Sequence, residues 1–155
     1  MAAGYSLRCV NISCACIDPD ISTAMVFLSV MLGNVAPHLD DWTETRAFAG
    51  LETQTPDGIR EPMSVQSVAE SLGIPFETVR RRVRRLRDLG LLASSTKGLV
   101  VAPGAMARPG LKRLVLEASA ANEDLVDDAL RLGLMDPPDP IDEDVRRQSA
   151  RLSAR

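Results

Sequence analysis

Hydrophobic positions along the chain change period several times, and each change marks an element. Over residues 20–39, Ile21, Ala24, Met25, Leu28, Met31, Leu32 and Val35 recur at helical spacing, with Asp18 or Asp20 placed to cap or complement the amino end. This helix is apolar around nearly its whole circumference, so it is expected to be buried on more than one side. A shorter polar helix is predicted around residues 42–51. Residues 53–62 read as loop, because Pro-Asp-Gly at 56–58 is a turn signal and Pro62 disfavours helix before it. Ser64 is an N-cap, and Met63 and Val68 stand where a hydrophobic staple places them. The short helix 65–71 that follows gathers Val65, Val68, Ala69 and Leu72 on one face. Gly73 permits a tight turn, Ile74 plugs the junction, and Pro75 fixes the start of the next helix. That helix, residues 76–89, puts Val79, Val83, Leu86 and Leu89 on one stripe and closes at Gly90 as a C-cap.

Beyond Gly90 the pattern becomes strand-like. Residues 91–94 and 99–102, joined by Ser95-Thr96-Lys97-Gly98, predict a hairpin, and Pro103, Pro109 and Gly110 break the chain after it. From 111 to 134 the apolar positions 111, 114, 118, 121, 125, 129 and 132 alternate three and four apart. Several are alanine, which lets another helix approach closely, so this element is expected to dimerise or to pack on the Ile21 helix. Pro137, Pro138 and Pro140 stop it, and the tail from Ile141 mixes acids with arginines in the manner of a frayed helix or disorder. The expected class is mainly α with a small β-hairpin. The expected organisation is a tail over 1–18, a domain over 19–105, a packing helix within 106–136 and a flexible tail over 137–155.

Composition changes this picture through charge. The 155-residue chain is 45% hydrophobic, 25% charged and 3% aromatic, which fits one globular domain with an aliphatic core. Its net charge of -3 is distributed very unevenly. Between Phe76 and Lys97, six arginines and one lysine oppose Glu77 and Asp88, a local +5 that leaves -8 on the rest. A merely solvated helix face interleaves acids with bases, whereas this balance points to an anionic partner. No secretory signal is read at the start, so a cytoplasmic protein is expected. The uncharged run from Ile21 to Pro37 is 17 residues, short of the roughly 20 a membrane span needs, and no membrane association is expected. Cys9, Cys14 and Cys16 have no common zinc spacing and nothing in the sequence brings His38 to them, so they are read as free thiols. A lone histidine, no phosphate-cradling glycine loop and no nucleophile arrangement argue against an enzyme, and no cofactor or metal is expected.

The stretch SVQSVAESLGIPFETVRRRVRRLRDLGLLASSTKGLVV, residues 64–101, resembles the winged helix-turn-helix of bacterial transcriptional regulators of the MarR-like, GntR-like and IclR-like kind. The matching points are Ala69 and Gly73, Ile74, Thr78-Val79, Val83, Leu86 and the Leu89-Gly90-Leu91 end. The resemblance implies a recognition helix, 76–89, in the major groove and a wing, 91–102, on the backbone, commonly in a dimer on a two-fold operator. Two positions depart from the pattern: Arg82 stands at a usually apolar site, and Pro75 where many members have a capping serine or aspartate. Arg82 lies about 60° from the core stripe, so its stem can pack while its head reaches solvent or an acid.

Rotation of about 100° per residue assigns the faces independently. With Val79, Val83 and Leu86 inward, Glu77, Arg81, Arg84 and Asp88 point outward, flanked by Arg80 and Arg87 on one side and Thr78 and Arg85 on the other. The expected base readers are Glu77, Thr78, Arg80, Arg81 and Arg84, with Glu77 accepting from cytosine or orienting Arg81. Arg85, Arg87, Lys97 and the amide end of the Ser64 helix are the expected phosphate contacts. The expected partners are double-stranded DNA and a second copy, joined through helices 21–36 and 111–134, with room between apolar helices for a small-molecule effector of unspecified chemistry. The competing reading is a winged helix that grips an acidic protein or RNA without operator specificity.

Overall fold

A computed structural model describes residues 2–36 and 61–136; the predicted helix at 42–51, the loop at 53–60 and the tail at 137–155 lie outside the described residues. In chain order the elements are α1 (Ala2–Cys16), α2 (Ile21–Val35), α3 (Val65–Leu72), α4 (Phe76–Asp88), β1 (Leu92–Ser95), β2 (Gly98–Val101), a short 3-10 turn (Ala105–Ala107) and α5 (Pro109–Arg131). The described chain is thus mainly helical with one small antiparallel sheet.

α2 sits at the centre, against α1, α3, α4 and β2. Asp20 caps it, its carboxylate accepting from Thr23 N at 2.9 Å and from the Thr23 hydroxyl at 2.6 Å. The face it buries differs from the stripe expected. Thr23, Ala24, Val26, Phe27, Val30 and Asn34 are inside, while Ile21 and Leu32 are 48% and 56% exposed. A helix apolar all round has no polar side to orient it, so its neighbours decide which face turns inward. Here they select a face containing two polar groups that find partners. Asn34 Nδ2 donates to Glu61 O at 2.7 Å and Leu99 O at 3.2 Å, and Asn34 Oδ1 accepts from Val101 N at 2.9 Å. One buried amide therefore ties α2 to β2 and to the segment entering α3. Gly33 allows that segment to lie close, because a Cβ there would stand 1.8 Å from Met63 Sδ.

Residues 1–18, expected to be a tail, instead supply α1. It escapes sequence reading because it has no acid in its first turn, no base in its last and one charge, Arg8. A helix of 15 residues with so few local signals is held mainly by tertiary packing. That packing comes from α5 and α2. Tyr5 donates its hydroxyl proton to Asn122 Oδ1, and Arg8 pairs with Asp124 at 2.5 Å. At the other end Gly110 lies so near the Cys16 carbonyl that a Cβ would be 2.9 Å from its oxygen. α5 accordingly packs along α1 of its own chain rather than chiefly on α2, burying Leu111, Leu114, Ala121 and Ala129, while Leu132 falls past the helix end and is 63% exposed. Among the described residues no single helix is long and apolar enough to cross a membrane.

The α3–α4 unit follows its local signals closely. Ser64 caps α3 by accepting from Ser67 N at 2.9 Å, and Gly73 adopts φ 64° at its end. Val79, Val83 and Leu86 are buried against the core as the stripe requires, whereas Leu89, expected on the same stripe, is the C-cap and is 43% exposed. Gly90 takes φ 66°, and Leu91 N returns to Leu86 O at 2.9 Å, closing the end of α4 one residue after Leu89. The hairpin pairs Leu92 with Val101 and Ser95 with Gly98, shifting both strands by one residue from their expected bounds. Its outer edge is partly occupied: Met63 and Leu99 exchange backbone hydrogen bonds at 3.0 and 2.8 Å.

Candidate functional site

The arginines of α4 divide into three groups according to what they meet. Arg82 and Arg85 turn back toward the α1–α2 junction, where Asp18 and Asp20 flank Pro19. Arg85 Nε donates to Asp18 Oδ2 at 2.6 Å, and that carboxylate is 3% exposed and also accepts from Asp20 N at 2.9 Å. Arg82 Nε lies 3.2 Å from Asp20 Oδ2 but out of alignment for a hydrogen bond, so that contact is chiefly ionic. Asp20 is already engaged by Thr23, whose hydroxyl, more than the arginines, holds its carboxyl below the usual aspartate range. Arg85 was expected on phosphate. Its Nε is instead engaged by the buried Asp18 carboxylate, which takes an ion partner in preference to standing alone, while the arginine side chain stays 55% exposed.

The second group is a local pair at the start of α4. Arg80 Nε and Nη2 donate to Glu77 Oε2 and Oε1, both at 2.8 Å, in a side-by-side fork. The expectation that Glu77 orients Arg81 is therefore corrected: the partner lies three residues on, not four, since both oxygens can be met by one planar guanidinium at that spacing. The hydrogen bond from Arg80 is the main reason the Glu77 carboxyl is held below its ordinary range, with Arg81 and Arg84 adding to it.

Arg81, Arg84 and Arg87 make up the third group. All are exposed and none has an acidic partner among the described residues. Arg84 and Arg87, with Asp88, form one wall of a shallow groove whose other wall is Leu92, Ala93 and Ser94 of the hairpin. Lys97 is exposed at the tip of that hairpin, in a turn held by Ser95, whose hydroxyl donates to Gly98 O at 3.1 Å and accepts from Lys97 N at 3.2 Å. Thr78 is half-buried on the flank of α4. At the amide end of α3, the Ser67 N–H is already taken by Ser64.

Sequence reasoning missed Asp18 as an arginine partner and missed Phe76, which is 46% exposed at the first position of α4. The signal for the first was present as Asp-Pro-Asp before α2 and two arginines three apart in α4, but nothing local connects positions 67 residues apart. Away from α4, a cleft between α1 and α5 is lined by Gly4, Tyr5, Arg8, Ala121, Asp124, Leu125 and Asp128. Its main acid is neutralised by Arg8. Cys9, Cys14 and Cys16 are half-buried free thiols on α1, with burial pushing Cys16 up from its ordinary value; His38 lies outside the described residues. No group of three or more metal-ligating side chains occurs among the described residues.

Comparison of the chain with protein-family models, with curated proteins and with solved structures gives no significant match.

Proposed function

We propose that this protein is a winged helix-turn-helix regulator that binds double-stranded DNA, with α4 as the recognition helix in the major groove and the β1–β2 hairpin as a wing on the backbone. The observation that carries the reading is the row of Arg81, Arg84 and Arg87 along the outer face of α4, exposed and without acidic partners among the described residues, beside a hairpin tipped by Lys97. Cationic side chains left unpaired on one face of a rigid helix suit a polyanion. The amino-terminal part of such a helix reaches base edges, which assigns Glu77, Thr78, Arg80, Arg81 and Arg84 to the sequence-reading end. Arg87 and Lys97 serve as phosphate contacts. The protein acts by binding, in the cytoplasm, and not as an enzyme.

A second copy of the chain is the further partner in this reading. Ile21 and Leu32 on α2, and Leu116 and Val126 on α5, supply the exposed apolar surface through which two copies pair. The test is selection of bound duplexes from a random DNA pool, followed by titration of the recovered sequence at several salt concentrations. An enriched inverted repeat bound as a dimer, with affinity falling steeply as salt rises, is the expected result. A monomer with no salt-dependent DNA affinity overturns the proposal. Weak binding indifferent to sequence overturns operator recognition and points to a protein or RNA partner.

A further inference from the structure

The pair at the start of α4 is difficult to explain as a device for stability. Arg80 and Glu77 are 53% and 60% exposed, and an ion pair so open to water contributes little while holding two long side chains in one geometry. Its geometry is nevertheless well defined, with both carboxylate oxygens engaged by one edge of the guanidinium. Guanidinium has five N–H donors in a planar fork. Using Nε and one proton of Nη2 leaves Nη1 and the second proton of Nη2 as a parallel pair of donors on a half-exposed side chain. Such a pair matches the O6 and N7 acceptors of guanine in the major groove. Glu77 gives one acceptor site on each oxygen to this fork, so its carboxylate is held by Arg80 before any base arrives.

Resting on the DNA-binding reading above, we infer that Arg80 is a guanine reader and that Glu77 is its positioning residue, a carboxylate that never touches the base but fixes the guanidinium edge that does. Arg81 and Arg84 have no such brace among the described residues, so they approach DNA as mobile cations whose rotamers are fixed only on binding. Discrimination at the Arg80 position therefore depends on an acidic residue that, by charge alone, repels DNA.

That opposition of sign makes the inference testable with the full chain on the duplex recovered by selection. Glu77→Ala is expected to raise affinity for random-sequence DNA, since one repulsive charge is gone, and to lower the preference for guanine at one position by roughly tenfold. Arg80→Ala is expected to relax the same position, and the double variant to discriminate no worse there than Arg80→Ala alone. Glu77→Gln, which keeps one acceptor oxygen, should fall between the parent and Glu77→Ala. Relaxation by Glu77→Ala of a cytosine position distinct from the Arg80 position, with additive losses, overturns the inference and makes Glu77 a reader itself. Equal weakening on every sequence also overturns it, as a contact that merely supports the helix end. In both cases salt-dependent binding survives and the DNA reading stands, whereas absence of such binding removes both.

Discussion

Replacing Asn34 with alanine removes a buried side chain whose hydrogen bonds tie the centre of the fold to the hairpin. The amide is 1% exposed and makes three hydrogen bonds, to Glu61 O, Leu99 O and Val101 N. The three losses are unequal. Leu99 O also accepts from Met63 N at 3.0 Å and keeps that partner, while Glu61 is exposed and its carbonyl can turn to water. Val101 N, in a buried strand residue, gives up its hydrogen bond to Asn34 Oδ1. Losing buried hydrogen bonds at roughly 1 kcal/mol each, together with the small void, gives a cost of about 2–4 kcal/mol for Asn34→Ala. Against a total stability of about 5–15 kcal/mol this is a large fraction. Urea unfolding should show a lower midpoint at unchanged slope, and Tm should drop by on the order of 10 °C. Native-state amide exchange should locate the effect, with the Leu99 and Val101 amides losing protection before those of α5. Asn34→Asp keeps the acceptor for Val101 but directs a carboxylate at two carbonyls, and should be at least as damaging at neutral pH. A loss for Asn34→Ala within about 0.5 kcal/mol of the parent, the range of ordinary surface changes, would refute the reasoning.

Two further expectations concern the acids before α2. Arg85→Ala strands the nearly buried Asp18 carboxylate and should lower stability by about 1–3 kcal/mol, discounted for the half-exposed arginine, while leaving the salt dependence of the proposed DNA binding unchanged. Arg87→Ala should do the reverse, sparing stability and reducing the salt slope by about 1, as urea unfolding and salt titration of both variants would reveal. Asp20, held below the usual aspartate range chiefly by the Thr23 hydroxyl, takes up its proton at lower pH folded than unfolded. Its contribution is therefore complete at neutral pH and is lost as pH falls through and below that range. Asp20→Asn, which caps without charge, should flatten the acid limb of a stability profile, and an unchanged limb would discount the cap.

The part of the fold most legible in the sequence is the part built from local signals. Ser64, Gly73, Pro75 and Gly90 each act through their own backbone or the next turn, and the stripe Val79, Val83, Leu86 fixes the inward face of α4 by rotation alone. What escaped is non-local or degenerate. α1 has one charge, no acid in its first turn and no base in its last, so its helical state rests on α5, which is distant in sequence. α2 presents apolar residues on every side, and only its neighbours select the face holding Thr23 and Asn34. Met63 extends the sheet by a bridge to Leu99 that no alternation in its own segment announces. Within the candidate site, exposure of the arginines was readable from periodicity. Their partners were not, since the choice between Arg80 and Arg81 for Glu77 depends on rotamers, and Asp18 reaches Arg85 through the fold.

These pairings alter how the local +5 of the α4–hairpin region should be counted. Arg82 and Arg85 face two carboxylates and Arg80 faces a third, so their charge is largely cancelled within a few ångströms, well inside the roughly 8 Å over which salt screens a bare charge. In this region four cations have no acidic partner among the described residues and remain open to a polyanion: Arg81, Arg84, Arg87 and Lys97. At about 0.9 counterions released per phosphate neutralised, seven cations would give a salt slope of roughly -6 per copy, and four give roughly -3.6. Outside this region the chain stays net acidic even with Asp18 and Asp20 engaged by the arginines, which disfavours any other face of the protein near a polyanion. The acids at 18 and 20 thus have two consequences from one arrangement. They bind α4 to the α1–α2 junction by the arginines on its inner flank, and so turn the unpaired row outward, beside the hairpin that Asn34 holds in place.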